Sequence, residues 1–183
     1  YTDQKVSHDQ IKAIVKAASL APSAKNRQPW KYLVYEGKAK EELLSAMERG
    51  LEREKKEHCL LPGSVFALPG AFQTLSIMRK APVTIIVMDP DGRSHYEPVN
   101  ADERLAEICD SLSIGASIQN MLLKATQLGL GTLWIANTCF AYNDMVEVIP
   151  SKGQLIGAVA VGYAAEKPYP RPRKKLEEIL EYM

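Results

Sequence analysis

A chain of 183 residues with 46% hydrophobic and 25% charged content is long enough to bury a sizeable core, and it is expected to form a single domain over residues 1–183. A formal net charge of +1 supplies no global field to draw nucleic acid or an anionic membrane surface, so neither is an expected partner. Cys59, Cys109 and Cys139 are odd in number and far apart, which argues against a secreted disulfide framework and for a cytoplasmic protein, and no apolar run approaches the roughly 20 residues that cross a bilayer.

The chain starts on Tyr1 with no signal-peptide core, and a start on Tyr rather than Met implies residues ahead of it. Ser7, with Gln10 three positions on, has the form of a capping box. Ile11, Ile14, Val15 and Ala18 follow at helical spacing until Pro22, which predicts a first helix over 8–20. A polar loop, "APSAKNRQPW" over 21–30, leads into "KYLVY" (31–35), the pattern of a strand buried on both faces. Residues 38–57 are charged, with Leu43, Leu44, Met47 and Leu51 as the apolar stripe of a surface helix. Two Pro-Gly pairs with Val65, Phe66 and Leu68 mark 60–70 as a loop that serves equally well as a lid or a plain crossover. "VTIIVM" (83–88) is the clearest buried strand, closed by the turn chemistry of Asp89, Pro90, Asp91 and Gly92.

A long helix is predicted over 110–128, with Ile114, Ile118, Met121, Leu122 and Ala125 on one face. Ser113, Gly115, Ala116 and Ser117 fall in its first turns, where small residues let a backbone, a ring or a second helix approach closely. "TLWIA" (132–136) and "QLIGAVAVGYA" (154–164) complete four predicted strands, and a basic stretch leads into a short C-terminal helix.

Most familiar chemical motifs are absent. No P-loop is present, and "GLG" at 129–131 lacks the third glycine and preceding strand of a dinucleotide fingerprint. His8, His58 and His95 are isolated from one another and from the cysteines, and His95-Tyr96-Glu97 has no P-C-x-x-C to complete a zinc-deaminase pattern. An enzyme without nucleophile, triad or metal borrows its chemistry from a cofactor. Three stretches offer contacts for one: Ser23, Asn26 and Gln28 in the polar loop, the backbone of "GTLWIA", and the basic "EKPYPRPRKK" (166–175). Composition alone also allows each a plain reading, as a turn, a core strand and a solvated surface.

"APSAKNRQPW" resembles the pattern A-P-S-x-x-N-x-Q-P-W of the nitroreductase family, FMN-dependent oxidoreductases that use NAD(P)H. "SIGASIQNMLLKATQLGLGTLWI", "LIGAVAVGYA" and "KPYPRPRKKLEEIL" are similar to further segments of that family in the same order, the match being weakest over about 38–75, a variable segment suited to forming a lid. The resemblance implies an α+β fold with a central mixed sheet flanked by helices, an intertwined homodimer, and FMN sites built from both subunits. It further implies that Pro22, Ser23, Ala24, Asn26 and Gln28 lie against the flavin, that the backbone of Leu133, Trp134, Ile135 and Ala136 approaches the ring's reactive edge, and that Arg173 and Arg171 meet the phosphate. Lys25 is a cation available to the reduced ring. The family's R-S-x-R segment, normally just ahead of the position of Tyr1, does not appear.

The activity implied is ping-pong hydride transfer from NAD(P)H through flavin N5 to a small acceptor such as a nitroaromatic or quinone. Reductive dehalogenation, dehydrogenation, flavin breakdown and FMN binding without turnover are the alternatives.

Overall fold

The computed structural model describes residues 1–183. Helix α1 (His8–Ser19) starts at the expected capping box: the Ser7 hydroxyl accepts from the Gln10 N–H at 3.2 Å, and the Gln10 side chain accepts from the Ser7 N–H at 3.0 Å. Strand β1 (Lys31–Glu36) passes directly into α2 (Gly37–Glu57), a reversal that needs the left-handed φ of +49° at Gly37. After α3 (Leu68–Lys80) come β2 (Val83–Asp89) and α4 (Ala101–Gln127), followed by β3 (Gly131–Ile135), α5 (Tyr142–Val148) and β4 (Gln154–Gly162).

The strands form one sheet in the order β1-β2-β4-β3. Its two faces carry separate cores. On one, Ile86 and Met88 of β2 meet Leu43, Leu44 and Met47 of α2 with Leu75 and Met78 of α3. On the other, Val83, Ile85 and Val87 meet Ile11 and Ile14 of α1 with Ile114, Ile118 and Met121 of α4. The period-2 alternation of β2 is what feeds both, and every residue of that strand is buried. Burying a Leu, Ile or Met side chain fully contributes about 1.5–3 kcal/mol, so these helix–sheet layers fix where the loops between them lie. No single helix is long and apolar enough to cross a membrane.

The α+β class is as expected from the sequence, with four differences in detail. All three strand pairings within the chain are antiparallel, where a mixed sheet was expected. Strand β1 is an edge strand and only half buried, with Val34 43% exposed, because an aromatic, β-branched run suits an edge as well as a centre. The 60–70 segment is a 3₁₀ run, Pro62–Ala67, that continues into α3; Pro62 and Pro69 sit in first turns, where the missing N–H is not needed. Finally, α4 begins at Ala101, because Asn100 and Glu103 form a second capping box with both bonds at 2.9 Å. The small residues from Ser113 to Ser117 therefore lie in mid-helix rather than at its start.

Candidate functional site

The polar loop follows α1 and includes a single 3₁₀ turn, Ala24–Asn26. Lys25, Asn26 and Gln28 have φ of +53°, +55° and +52°, while Arg27 between the last two is right-handed at −67°. A left-handed residue other than glycine costs on the order of 1–2 kcal/mol, so this geometry must be held from outside. Within the loop, the Gln28 N–H donates to the Ser23 hydroxyl at 3.0 Å and the Trp30 N–H to the Gln28 carbonyl at 2.8 Å. Pro29 is buried and Trp30 packs on the core shared by α1 and α4, which fixes the entry into β1.

Helix α4 supplies the support from beneath. The Ser113 hydroxyl accepts the Ala24 N–H at 3.3 Å, and the Asp110 carboxylate lies 3.2 Å from the Arg27 guanidinium. The same helix carries the end of β3, since a Cβ on Gly115 would lie 3.8 Å from the ring of Trp134. One turn further, the Ser117 hydroxyl is hydrogen-bonded to Tyr32. Burial pushes the Tyr32 phenol up, against the opposing effect of that bond, so it stays protonated. Loop, strand end and first strand thus converge on two turns of α4, where small side chains leave them room.

Of the residues expected in the site, Pro22, Asn26 and Gln28 are exposed, and Ser23 and Ala24 half-buried. In β3, Leu133 is half-buried, Trp134 is 46% exposed and Ile135 is buried, with Ala136 exposed beyond it. Trp134 is therefore not buried as the plain reading of this stretch as a core strand would have it. Gly157 of β4 sets the height of this end, because a Cβ there would sit 2.4 Å from the Ile135 carbonyl oxygen. Arg171 and Arg173 are not brought to the loop within this chain: residues 164–183 are all exposed, and Arg173 donates only to the carbonyls of Arg171 and Pro172. Asp110 was missed in the sequence, since nothing in a helical stretch says which loop residue its carboxylate will meet.

The model of the nitroreductase family matches residues 1–163. The chain belongs to the nitroreductase family. The family read from the four sequence segments, and the oxidoreductase class that goes with it, are thereby borne out. Among similar proteins, one of Streptococcus pyogenes serotype M6 that carries a provisional name as an NAD(P)H nitroreductase is 26% identical over 99% of the chain and 92% of its own length. A BluB-like flavoprotein of Clostridium difficile 630 has the same fold, with a TM-score of 0.79, 23% identity and coverage of 100% and 92%. The FMN- and NADPH-dependent nitroreductase NfnB of Sphigopyxis sp. strain HMH superimposes with a TM-score of 0.73 at 19% identity, covering 100% and 92%.

Proposed function

We propose that this nitroreductase-family protein is an FMN-dependent oxidoreductase that takes reducing equivalents from NAD(P)H and delivers them to a small electron acceptor, such as a nitroaromatic or a quinone. The observation that carries this reading is the convergence of the left-handed polar loop and the open end of β3 on one stretch of α4. The loop exposes polar side chains there and the edge strand β3 an unpaired backbone edge, which suits a flat heterocycle with polar edges.

The donor set fits FMN. Ser23, Asn26 and Gln28 offer a hydroxyl and two carboxamides for the ring's carbonyls and the polyol, and the Lys25 ammonium is the nearby cation for charge that grows on the reduced ring. The backbone from Leu133 to Ala136 lines the open edge of the sheet. Arg171 and Arg173 are the phosphate ligands in this reading. When bound, FMN supplies a two-electron acceptor and donor at N5. The chain itself holds the ring between loop and strand, narrows the approach with Trp134, and leaves the final protonation of the acceptor to solvent.

The complete site takes two copies of the chain. Leu105, Ile108, Leu112 and Leu123 form an exposed stripe on α4, on the side away from the core, and Leu20 at the end of α1 is 75% exposed. At 100° per residue those four helix positions fall within about 60° of arc. The free tail carries Leu176, Ile179 and Leu180, also exposed, next to the arginines that the single chain leaves far from any partner. A second copy covers the stripe and receives the tail, which brings the arginines to the loop.

The test is a visible absorption spectrum of protein mixed with FMN and desalted, before and after anaerobic NADPH. Retained flavin that bleaches, with the protein eluting as a dimer, is the expected outcome. Flavin that is retained and does not bleach with NADPH or NADH would identify a binding protein, and no retained flavin would overturn the cofactor.

A further inference from the structure

We propose that Asp110 and Arg27 are a positioning pair that holds the loop at residues 23–28 in its flavin-binding shape; this rests on the reading of that loop just given. The loop's backbone runs through Lys25, Asn26, Arg27 and Gln28 with φ signs plus, plus, minus, plus. Residues other than glycine leave the left-handed region when nothing holds them there. Turning Asn26 or Gln28 back to negative φ would swing both carboxamides away from the place they share. The pinned residue is the one between them.

Few contacts tie this loop to the scaffold. The bond from Gln28 N–H to Ser23 and the 3.4 Å contact of the Gln28 amide with Asn26 are internal to the loop and move with it. The Ala24 N–H reaches Ser113 at 3.3 Å, a long neutral bond to a hydroxyl that already donates to the Cys109 carbonyl at 2.7 Å. The remaining tie is charged: Arg27 Nη2 to Asp110 Oδ2 at 3.2 Å, with the Asp110 side chain 7% exposed and the Arg27 side chain 42% exposed. A buried carboxylate on a long helix is a fixed point, and a half-exposed guanidinium is the arm that reaches it.

Nothing else competes for either partner. Arg93 is taken by Glu103 at 2.8 Å and Arg104 by Glu107 at 2.5 Å, so Asp110 has no other ion-paired cation. Asp89 accepts the N–H groups of Asp91 and Gly92, both at 3.1 Å, and is not paired with Arg27. Asp110 Oδ1 is buried without any partner in the protein, so the carboxylate is committed to Arg27 alone. A cavity of about 230 Å³ adjoins the pair and is lined by Asp89, Glu103 and Glu107 among others. Without the Asp110 charge, Arg27 has no ion-pair partner and the loop loses its charged tie to α4.

The experiment measures FMN affinity by quenching of flavin fluorescence on apoprotein, together with flavin-free thermal unfolding, for Arg27→Gln, Asp110→Asn, the double variant and Arg27→Lys. Each neutral single variant is expected to weaken FMN at least tenfold, about 1.4 kcal/mol. The double variant, which leaves no lone buried charge and so keeps its fold, should weaken FMN by about the same tenfold rather than by the hundredfold of independent residues. Arg27→Lys should recover part of the loss. A purely structural pair would shift the unfolding temperature and leave FMN affinity of the folded protein unchanged. Affinities within twofold of the parent in all variants, or a multiplicative double variant, would overturn the pair while the parent's retained flavin upholds the loop. A parent that retains no flavin would remove both.

Discussion

Replacing Glu54 by Ala should cost this fold about 3 kcal/mol, and the figure follows from the hydrogen bonds the carboxylate accepts. Helix α2 ends at Glu57, His58 turns left-handed with φ of +51°, and the chain doubles back over the last turn. One Glu54 oxygen accepts the N–H of Cys59 at 3.1 Å and of Leu60 at 2.9 Å, and the other accepts that of Leu61 at 2.8 Å. Glu54 itself is 1% exposed. Losing its acceptor strands three donors, and an unsatisfied buried donor costs about 1–3 kcal/mol. Residues 59–61 are partly open to water, so the low end applies to each. In a chain of this size 1 kcal/mol is about 2–4 °C, which gives a fall in Tm of about 6–12 °C in thermal unfolding at pH 7. Burial works to raise the Glu54 carboxyl, but the bonds from Leu61, Leu60 and Cys59 outweigh it and hold it below its ordinary 4.5. Its stabilisation is therefore complete above pH 4.5 and fades as the pH falls through the lower folded value, so the gap between parent and variant should narrow in acid. A fall below about 2 °C, or a gap that persists unchanged into acid, would refute the account.

Leu44→Ala, at a fully buried position between α2 and the sheet, should lower the unfolding free energy by about 2–5 kcal/mol in urea with an unchanged m-value. Gly157→Ala must displace the Ile135 carbonyl, so it should lower Tm and also weaken FMN; a lower Tm with parental FMN affinity would separate β3 from the site. His95 packs edge-on against Tyr142 at 4.7 Å, and partial desolvation lowers its pKa against the opposing pull of Glu107. The unfolded chain then takes up the proton first, so stability drops as the pH falls below about 6.5. His95→Phe keeps the ring contact and should lose less Tm than the parent between pH 7.5 and 5.5; equal losses would exclude His95 as the cause.

What could be read in advance followed the strength of local signals. The Ser7–Gln10 box and the alternation of β2 each satisfy a local rule and a tertiary one at once, and both elements appear where the pattern put them. The start of α4 was missed although Asn100 and Glu103 are a capping signature, because residues 101–109 bury almost nothing and carry no core-facing stripe. Helix α3 was hidden by prolines that read as loop and in fact occupy first turns. In the site, Ser23, Asn26 and Gln28 stand out by composition. Their left-handed backbone does not, since it is imposed by Arg27 and Asp110, 83 positions apart in the chain. That pairing is tertiary and leaves no local trace.

The two halves of the site are held in different ways, and this has a measurable consequence. Strand β3 is paired with β4 over its whole length, from Gly131 opposite Gly162 to Ile135 opposite Ala158, and backbone pairing of that kind persists without ligand. The loop has no such ladder and is kept against its own φ preferences by side chains at its rim. It is the element of lower local stability, the part of the fold that opens first. FMN at about 100 times its Kd adds about 2.7 kcal/mol to the folded state, which should raise Tm by about 5–11 °C. In hydrogen exchange the added protection should fall on residues 24–28, with the β3 amides that are bonded to β4 slow to exchange before and after. Protection gained mainly in β3, with the loop unchanged, would mean that the loop is rigid on its own and that its left-handed residues need no anchor on α4.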